Sequence, residues 1–130
     1  MDAANLKLPV ILVTEDDVSN FLVIEVMINQ YVKANVLWAK DGIEAVEICN
    51  ENHEIDLVLM DIKLPFLNGI EATKAIKQLR PTLPIVAVTA YALIGDERRL
   101  KEAGCDDYLA KPIRLPLFLQ TIGKYVVLRA

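Results

Sequence analysis

Glu15 and Asp16 follow the apolar run Val10 to Val13, Asp61 follows Leu57 to Met60, and Lys111 follows Asp107 to Ala110. Thr89 closes another such run, Ile85 to Thr89. If these runs are strands of one parallel sheet, all five side chains meet at its carboxyl rim, where open α/β sheets bind their ligands. Three carboxylates gathered there repel one another and raise one another's pKa unless they share a cation. A hard divalent ion such as Mg2+ suits one or two direct carboxylates, a backbone carbonyl and several waters, and it commonly takes a phosphate oxygen into its shell. Lys111 as a point charge and Thr89 as a hydroxyl donor then face the remaining phosphate oxygens. Phosphoryl transfer asks mainly for positioning and charge neutralisation, and an aspartate can itself be the covalent acceptor. Asp61, central in the sheet, is the best candidate. A lone acidic pair would carry little weight, since acids after a strand often cap the next helix, and Asp17 is read that way.

The elements that must position these residues follow from periodicity. Five short apolar runs, the four above and Asn35 to Ala39, each precede a segment with helical spacing. Several alternate poorly, as strands buried on both faces do, so they belong to a parallel sheet covered by helices on each side. Ser19 or Asn20 is expected to cap the first helix, Asp41-Gly42 the second and Asn68-Gly69 the third. Pro81 and Pro84 close the third helix, Gly104 stops the fourth, and a last helix is expected over Leu117 to Tyr125 after Pro116. Residues 1–8 and 127–130 read as tails around one domain, 9–126. The first helix carries Phe21, Leu22, Val23, Ile24, Val26, Met27 and Ile28, more apolar side chains than one buried stripe uses, so Phe21 or Val26 is expected to face outward.

The totals agree with this. With 130 residues, 54% hydrophobic and 25% charged, the chain has the size and balance of one folded domain that needs no disulfide or metal staple. No apolar run approaches the roughly 18 residues of a membrane span, and the N-terminus lacks a signal-peptide pattern, so a cytoplasmic location is expected. Cys49 and Cys105 have neither metal-knuckle nor disulfide spacing and are assigned no chemistry. The net charge of −4 and the mixed signs of DERRLKE argue against a nucleic-acid surface. His53, the only histidine, lies in the polar connector NENHEID, which makes a histidine-based triad improbable.

The segments PVILVTEDDVSN, DLVLMDIKLPFLNGIEATKAIK, PIVAVTA and GCDDYLAKP resemble the receiver domain of two-component response regulators, over Pro9 to Tyr125. They are most similar to receivers attached to hybrid sensor histidine kinases, whose first loop often reads Glu-Asp-Asn and whose third helix often begins Gly-Ile-Glu-Ala-Thr. The resemblance implies a flavodoxin-like (βα)5 doubly wound sheet of order 2-1-3-4-5 in three layers. It implies that Asp61 takes a phosphoryl group from a phosphohistidine with Mg2+, that Asp16 binds the ion directly and that Glu15 reaches it through water. Lys63 would offer its backbone carbonyl to the metal. Thr89 would bond the phosphate, Ala90 would leave room beside it, Lys111 would be the cation, and Lys111-Pro112 would be cis. Thr89 and the aromatic Tyr108 would form the switch, although Tyr108 reads equally well as a packing residue.

Two positions depart from small acids or amides that could orient an attacking water: Lys63, two beyond the acceptor, and Tyr91, two beyond the threonine. Both are bulky, so slow self-dephosphorylation is expected. The partner is expected to be a histidine kinase or a histidine phosphotransfer domain, with the first helix as a docking face; neither nucleic acid nor membrane is expected to bind, and a phosphorylation-linked homodimer is left open. The reading is a phosphoacceptor and not a kinase, either a receiver from a hybrid kinase, which the EDD loop and GIEAT favour, or a stand-alone shuttle. An aspartyl-phosphate phosphohydrolase would want a second acid where Lys63 stands. A flavin or nucleotide binder would want a phosphate loop after Val13, where acids stand instead. A receiver serving only as a dimerising scaffold would not need Asp61 and Lys111.

Overall fold

The computed structural model describes residues 7–90 and 96–129. Along the chain it forms β1 (Val10–Thr14), α1 (Val18–Tyr31), β2 (Asn35–Ala39), α2 (Gly42–Glu51), β3 (Ile55–Asp61), α3 (Gly69–Leu79), β4 (Ile85–Thr89), α4 (Asp96–Ala103), β5 (Asp107–Ala110) and α5 (Leu115–Ile122). The strands pair in parallel in the order β2-β1-β3-β4-β5, as expected.

Alternate residues of the central strands feed two cores. Ile11, Val13, Leu57, Leu59, Val86 and Val88 pack with Ile24 and Ile28 of α1 and Phe118 and Ile122 of α5. On the other face Leu12, Val58, Met60 and Ile85 pack with Ala45 and Cys49 of α2 and Ala72 and Ile76 of α3. Burial on both sides explains the unbroken apolar runs of β1, β3 and β4.

Helix starts are set locally. Asp41 and Asn68 accept hydrogen bonds from the N–H groups of Glu44 and Glu71, 2.8 and 2.9 Å, as their positions predict. The cap of α1 is Asp17, accepting from Asn20 N–H at 2.9 Å. Ser19 and Asn20 therefore lie inside the first turn and not at its cap: Asp17 has extended backbone and stands at the right offset from an unsatisfied N–H. The last helix also departs from expectation. It begins at Leu115, with Pro116 inside its first turn, because the first turn has no intrahelical acceptor for an N–H that proline lacks, and it ends at Ile122 with Gly123 as its C-cap. Gly104 follows α4 with φ 108°, a conformation that favours glycine.

Beyond α5 the chain turns back along the end of α1. Lys33 N–H donates to the Val127 carbonyl at 3.2 Å and Arg129 N–H to the Tyr31 carbonyl at 2.7 Å, around an antiparallel bridge between Val32 and Leu128. At the opposite face the Arg80 guanidinium ties the end of α3 to the start of β3 through the carbonyls of Asn52, His53 and Ile55, at 3.1, 3.1 and 2.9 Å.

Candidate phosphoacceptor site

Parallel register brings the strand ends level: Thr14 pairs with Met60, Asp61 with Val88 and Thr89 with Ala110. Glu15 and Asp16 therefore emerge beside Asp61, the last residue of β3, while Lys111 steps off the far strand. One carboxylate oxygen from each of Glu15, Asp16 and Asp61 lies within 4.8 Å of the others. Glu15 and Asp61 are buried and Asp16 faces solvent, so the cluster has a closed floor and an open side. Lys111 Nζ donates to Glu15 Oε2 at 3.1 Å and to Asp61 Oδ2 at 3.0 Å. The other Asp61 oxygen accepts from Lys63 N–H at 3.0 Å, and Glu15 Oε1 accepts from Asp17 N–H at 3.3 Å. The Lys111–Pro112 peptide is cis.

Among the described contacts, the Lys111 ammonium faces two of three clustered carboxylates, which leaves the pocket short of positive charge. Burial pushes the Glu15 carboxyl up to about 7, the adjacent Asp61 carboxylate adds to the rise, and Lys111 only partly offsets them. Burial alone would lower the Lys111 ammonium, but Asp61 and then Glu15 outweigh it and hold the group above its ordinary value. Lys111 thus stays cationic at neutral pH. A cluster of hard oxygens with surplus negative charge and one solvent-facing member fits a divalent cation of the Mg2+ kind.

Of the residues singled out in the sequence, Glu15, Asp16, Asp61, Thr89 and Lys111 sit on this rim, whereas Tyr108 pairs with Ala87, two residues short of the end of β5. Thr89 is buried at the end of β4, and Lys63 is the second residue of the loop after β3 and is exposed. Tyr108 is turned outward on β5, lining a shallow pocket with Leu100 and Cys105. Tyr91 lies outside the described residues. Cys49 is buried, and burial pushes its thiol up to about 11, in keeping with a core residue without chemistry.

Phe21 corrects one expectation. It is 6% exposed and stacks on Trp38, ring centroids 4.2 Å apart and planes 8° apart. Of the two residues expected to face outward, only Val26 does so, together with Val18, Leu22 and Val23. Helical phase places Phe21 over the sheet with Ile24 and Ile28, and the broad indole of Trp38 offers it a flat partner.

Three participants have no loud sequence signal. Asn20 Nδ2 donates to Glu15 Oε1 at 3.5 Å. Trp38 Nε1 donates to the main-chain carbonyl of Glu15 at 2.8 Å. Gly69 lets the start of α3 lie against the carbonyl of Asp61, where a Cβ would overlap that oxygen and meet Ile62 Cα at 2.7 Å. The glycine after Asn68 hinted at this contact, but nothing local marks Trp38.

A parallel 2-1-3-4-5 sheet with an acid cluster and a facing lysine on its carboxyl rim defines the class of aspartate-based phosphoacceptor modules. The response regulator receiver domain model matches residues 11–123, and the chain belongs to that family. The polar-differentiation response regulator DivK of Brucella ovis is 46% identical over 90 residues, 67% of this chain and 72% of the relative. The receiver domain of the sensor histidine kinase PA1611 from Pseudomonas aeruginosa PAO1, with a magnesium ion coordinated in its active site cleft, superposes with TM-score 0.83 at 36% identity, covering 92% of this chain and 98% of that one. The receiver domain of the response regulator Ssk1, co-crystallised with the histidine phosphotransfer signaling protein Ypd1 of Saccharomyces cerevisiae, gives TM-score 0.83 at 32% identity over 93% of this chain and 92% of that chain. Glu15, Asp16 and Asp61 fit the phosphoacceptor site of this family.

Proposed function

We propose that Asp61 accepts a phosphoryl group from the phosphohistidine of a histidine kinase or histidine phosphotransfer domain. The observation that carries this reading is the Lys111 ammonium held against both Glu15 and Asp61. Asp16, Asp61 and the backbone carbonyl of Lys63 would hold Mg2+, with Glu15 reaching it through water. When bound, the ion supplies positive charge against the phosphoryl oxygens. A carboxylate oxygen of Asp61 attacks phosphorus in line, the P–N bond breaks, and its electron pair leaves with the imidazole, which stays on the partner. An acyl phosphate remains on Asp61. Lys111 neutralises an oxygen of the new group, and the Thr89 hydroxyl donates to another.

The same groups give a switch. Movement of Thr89 toward the phosphoryl oxygens vacates space into which Tyr108, now outward, turns, so one covalent charge biases two packings. Lys63 and Tyr91, bulky residues at the two sequence positions where a small acid or amide could orient water, would lengthen the life of the acyl phosphate.

The partner's phosphohistidine arrives on the apolar side of α1. Val18, Leu22, Val23 and Val26 are exposed there, next to a hollow lined by Asn20, Lys111, Pro112 and Ile113. The complex of the yeast receiver with its phosphotransfer protein supports a partner of that kind. Among the described residues no helix is long and apolar enough to cross a membrane; the reading places the domain in the cytoplasm, as part of a hybrid sensor kinase or as a separate response regulator. The 36% identical sensor-kinase receiver favours the first and the 46% identical response regulator the second.

The test is phosphorylation by acetyl phosphate or phosphoramidate with and without Mg2+, followed by mass spectrometry. One added phosphoryl group is expected with Mg2+, and none in Asp61→Asn. Phosphorylation that survives Asp61→Asn would overturn the assignment.

A further inference from the structure

Glu15 is the first residue beyond β1, and its backbone is held on both sides by β2. Its N–H continues the ladder, donating to the Ala39 carbonyl at 2.9 Å. Its carbonyl accepts instead from a side chain, the indole N–H of Trp38, at 2.8 Å. A backbone carbonyl beneath a buried carboxylate needs a partner, and here the indole supplies it. The Glu15 carbonyl and the Asp16 N–H share one planar peptide, so fixing the first fixes the direction in which Asp16 leaves the strand. The indole is itself held by the stack on Phe21 of α1, with the Lys40 ammonium 5.1 Å from its ring centroid. α1 returns to the same acid through Asn20 and through its cap residue, Asp17, whose N–H donates to Glu15 Oε1.

We propose that Trp38 is a positioning residue for the divalent-cation site: its N–H fixes the 15–16 peptide, and so the carboxylates on either side of it, and sets Mg2+ affinity without touching the ion. This rests on the phosphoacceptor reading of the Glu15, Asp16 and Asp61 cluster. Because Phe21 lies under the exposed apolar face of α1, the ring stack also links that face to the acids. Loosening the indole N–H should weaken cation binding while leaving the core intact.

Trp38 is the only tryptophan in the chain, so metabolic replacement of tryptophan alters this one position. β-(3-Benzothienyl)alanine keeps the bicyclic ring and the stack but has no N–H, whereas 5-fluorotryptophan keeps both. Mg2+ titration by calorimetry on the folded domain is expected to give a Kd about tenfold weaker with benzothienylalanine, the lower edge of what losing a group that orients a metal ligand costs. The fluorotryptophan protein should match the parent, and Trp38→Phe should follow the benzothienyl protein. Thermal unfolding in EDTA reports any loss of core packing separately. Equal Mg2+ affinity in the parent and benzothienyl proteins would overturn the positioning role while leaving the phosphoacceptor reading standing. A parent domain that binds no Mg2+ would overturn both.

Discussion

Lys111 Nζ lies 3.0 Å from Oδ2 of Asp61, across a sequence separation of fifty residues. The same ammonium touches Glu15, so a single cation serves both buried acids of the site. Its removal should act on charge before it acts on packing. Lys111→Met is expected to lower the rate of Asp61 phosphorylation by acetyl phosphate on the order of 10²-fold, the scale of losing one donor aimed at developing charge. Because the three acids then lack their internal counter-ion, Mg2+ should raise the melting temperature of this variant more than that of the parent. An equal or smaller rise would contradict the charge balance described for the pocket.

Glu15 gives the metal-free domain a pH dependence whose sign follows from its carboxyl titrating at about 7 and not at 4.5. Between those values the folded state keeps a proton that the unfolded chain has lost. Stability contributed by this group therefore falls as pH rises through the window, and the loss is complete above about 7. Cation binding needs the carboxylate, so Mg2+ uptake should release a proton at about pH 6 and weaken there. In EDTA, Glu15→Gln should gain stability over the parent at about pH 8 and lose that advantage near pH 5. Paired thermal melts of the two proteins check this, and a pH-independent difference would count against it.

Gly69 is a packing prediction at the same site. Gly69→Ala sets a methyl against the Asp61 carbonyl and Ile62 Cα, and should cost about 1–3 kcal/mol in urea unfolding, the range for overpacking. Because the strain falls on the acceptor's own peptide, phosphorylation by small donors should slow as well. A neutral substitution would mean that α3 shifts freely against β3.

The apolar face of α1 separates partner docking from chemistry. Val23→Lys or Val26→Lys should slow phosphotransfer from a cognate histidine phosphotransfer domain by about tenfold, as for loss of an interface contact worth ~1.4 kcal/mol. Acetyl phosphate should label these variants at the parent rate. Phe21→Gln is no test of docking, since that ring is buried on Trp38 and its loss would loosen the fold. Unchanged phosphotransfer in both lysine variants would remove α1 from the docking surface.

Lys63 and Tyr91 bear on lifetime. Lys63→Asn with Tyr91→Glu supplies an amide and an acid able to orient water, and the acyl phosphate should decay faster than in the parent. Following the phosphorylated mass with time in Mg2+ decides it; equal half-lives would sink the idea.

The sequence by itself determined the order of elements and the strand ends on which the acids, Thr89 and Lys111 sit. It did so because those signals are local: β2, β4 and β5 occupy the runs read from apolar residues, and Asp41 and Asn68 cap helices through N–H groups three residues away. At the first helix local signals gave two readings, of which Asp17 as a cap holds and Ser19 or Asn20 does not, and they misled where a proline could stand either before or inside the first turn of α5. Tertiary structure alone decided which apolar residues of α1 face out, because helical phase matters only once the sheet and Trp38 fix which side is covered. It alone placed the indole N–H on the Glu15 carbonyl, 23 residues away, and the Lys111 ammonium between Glu15 and Asp61. Contacts across such separations depend on register and packing of the whole sheet, which no stretch of neighbouring residues encodes.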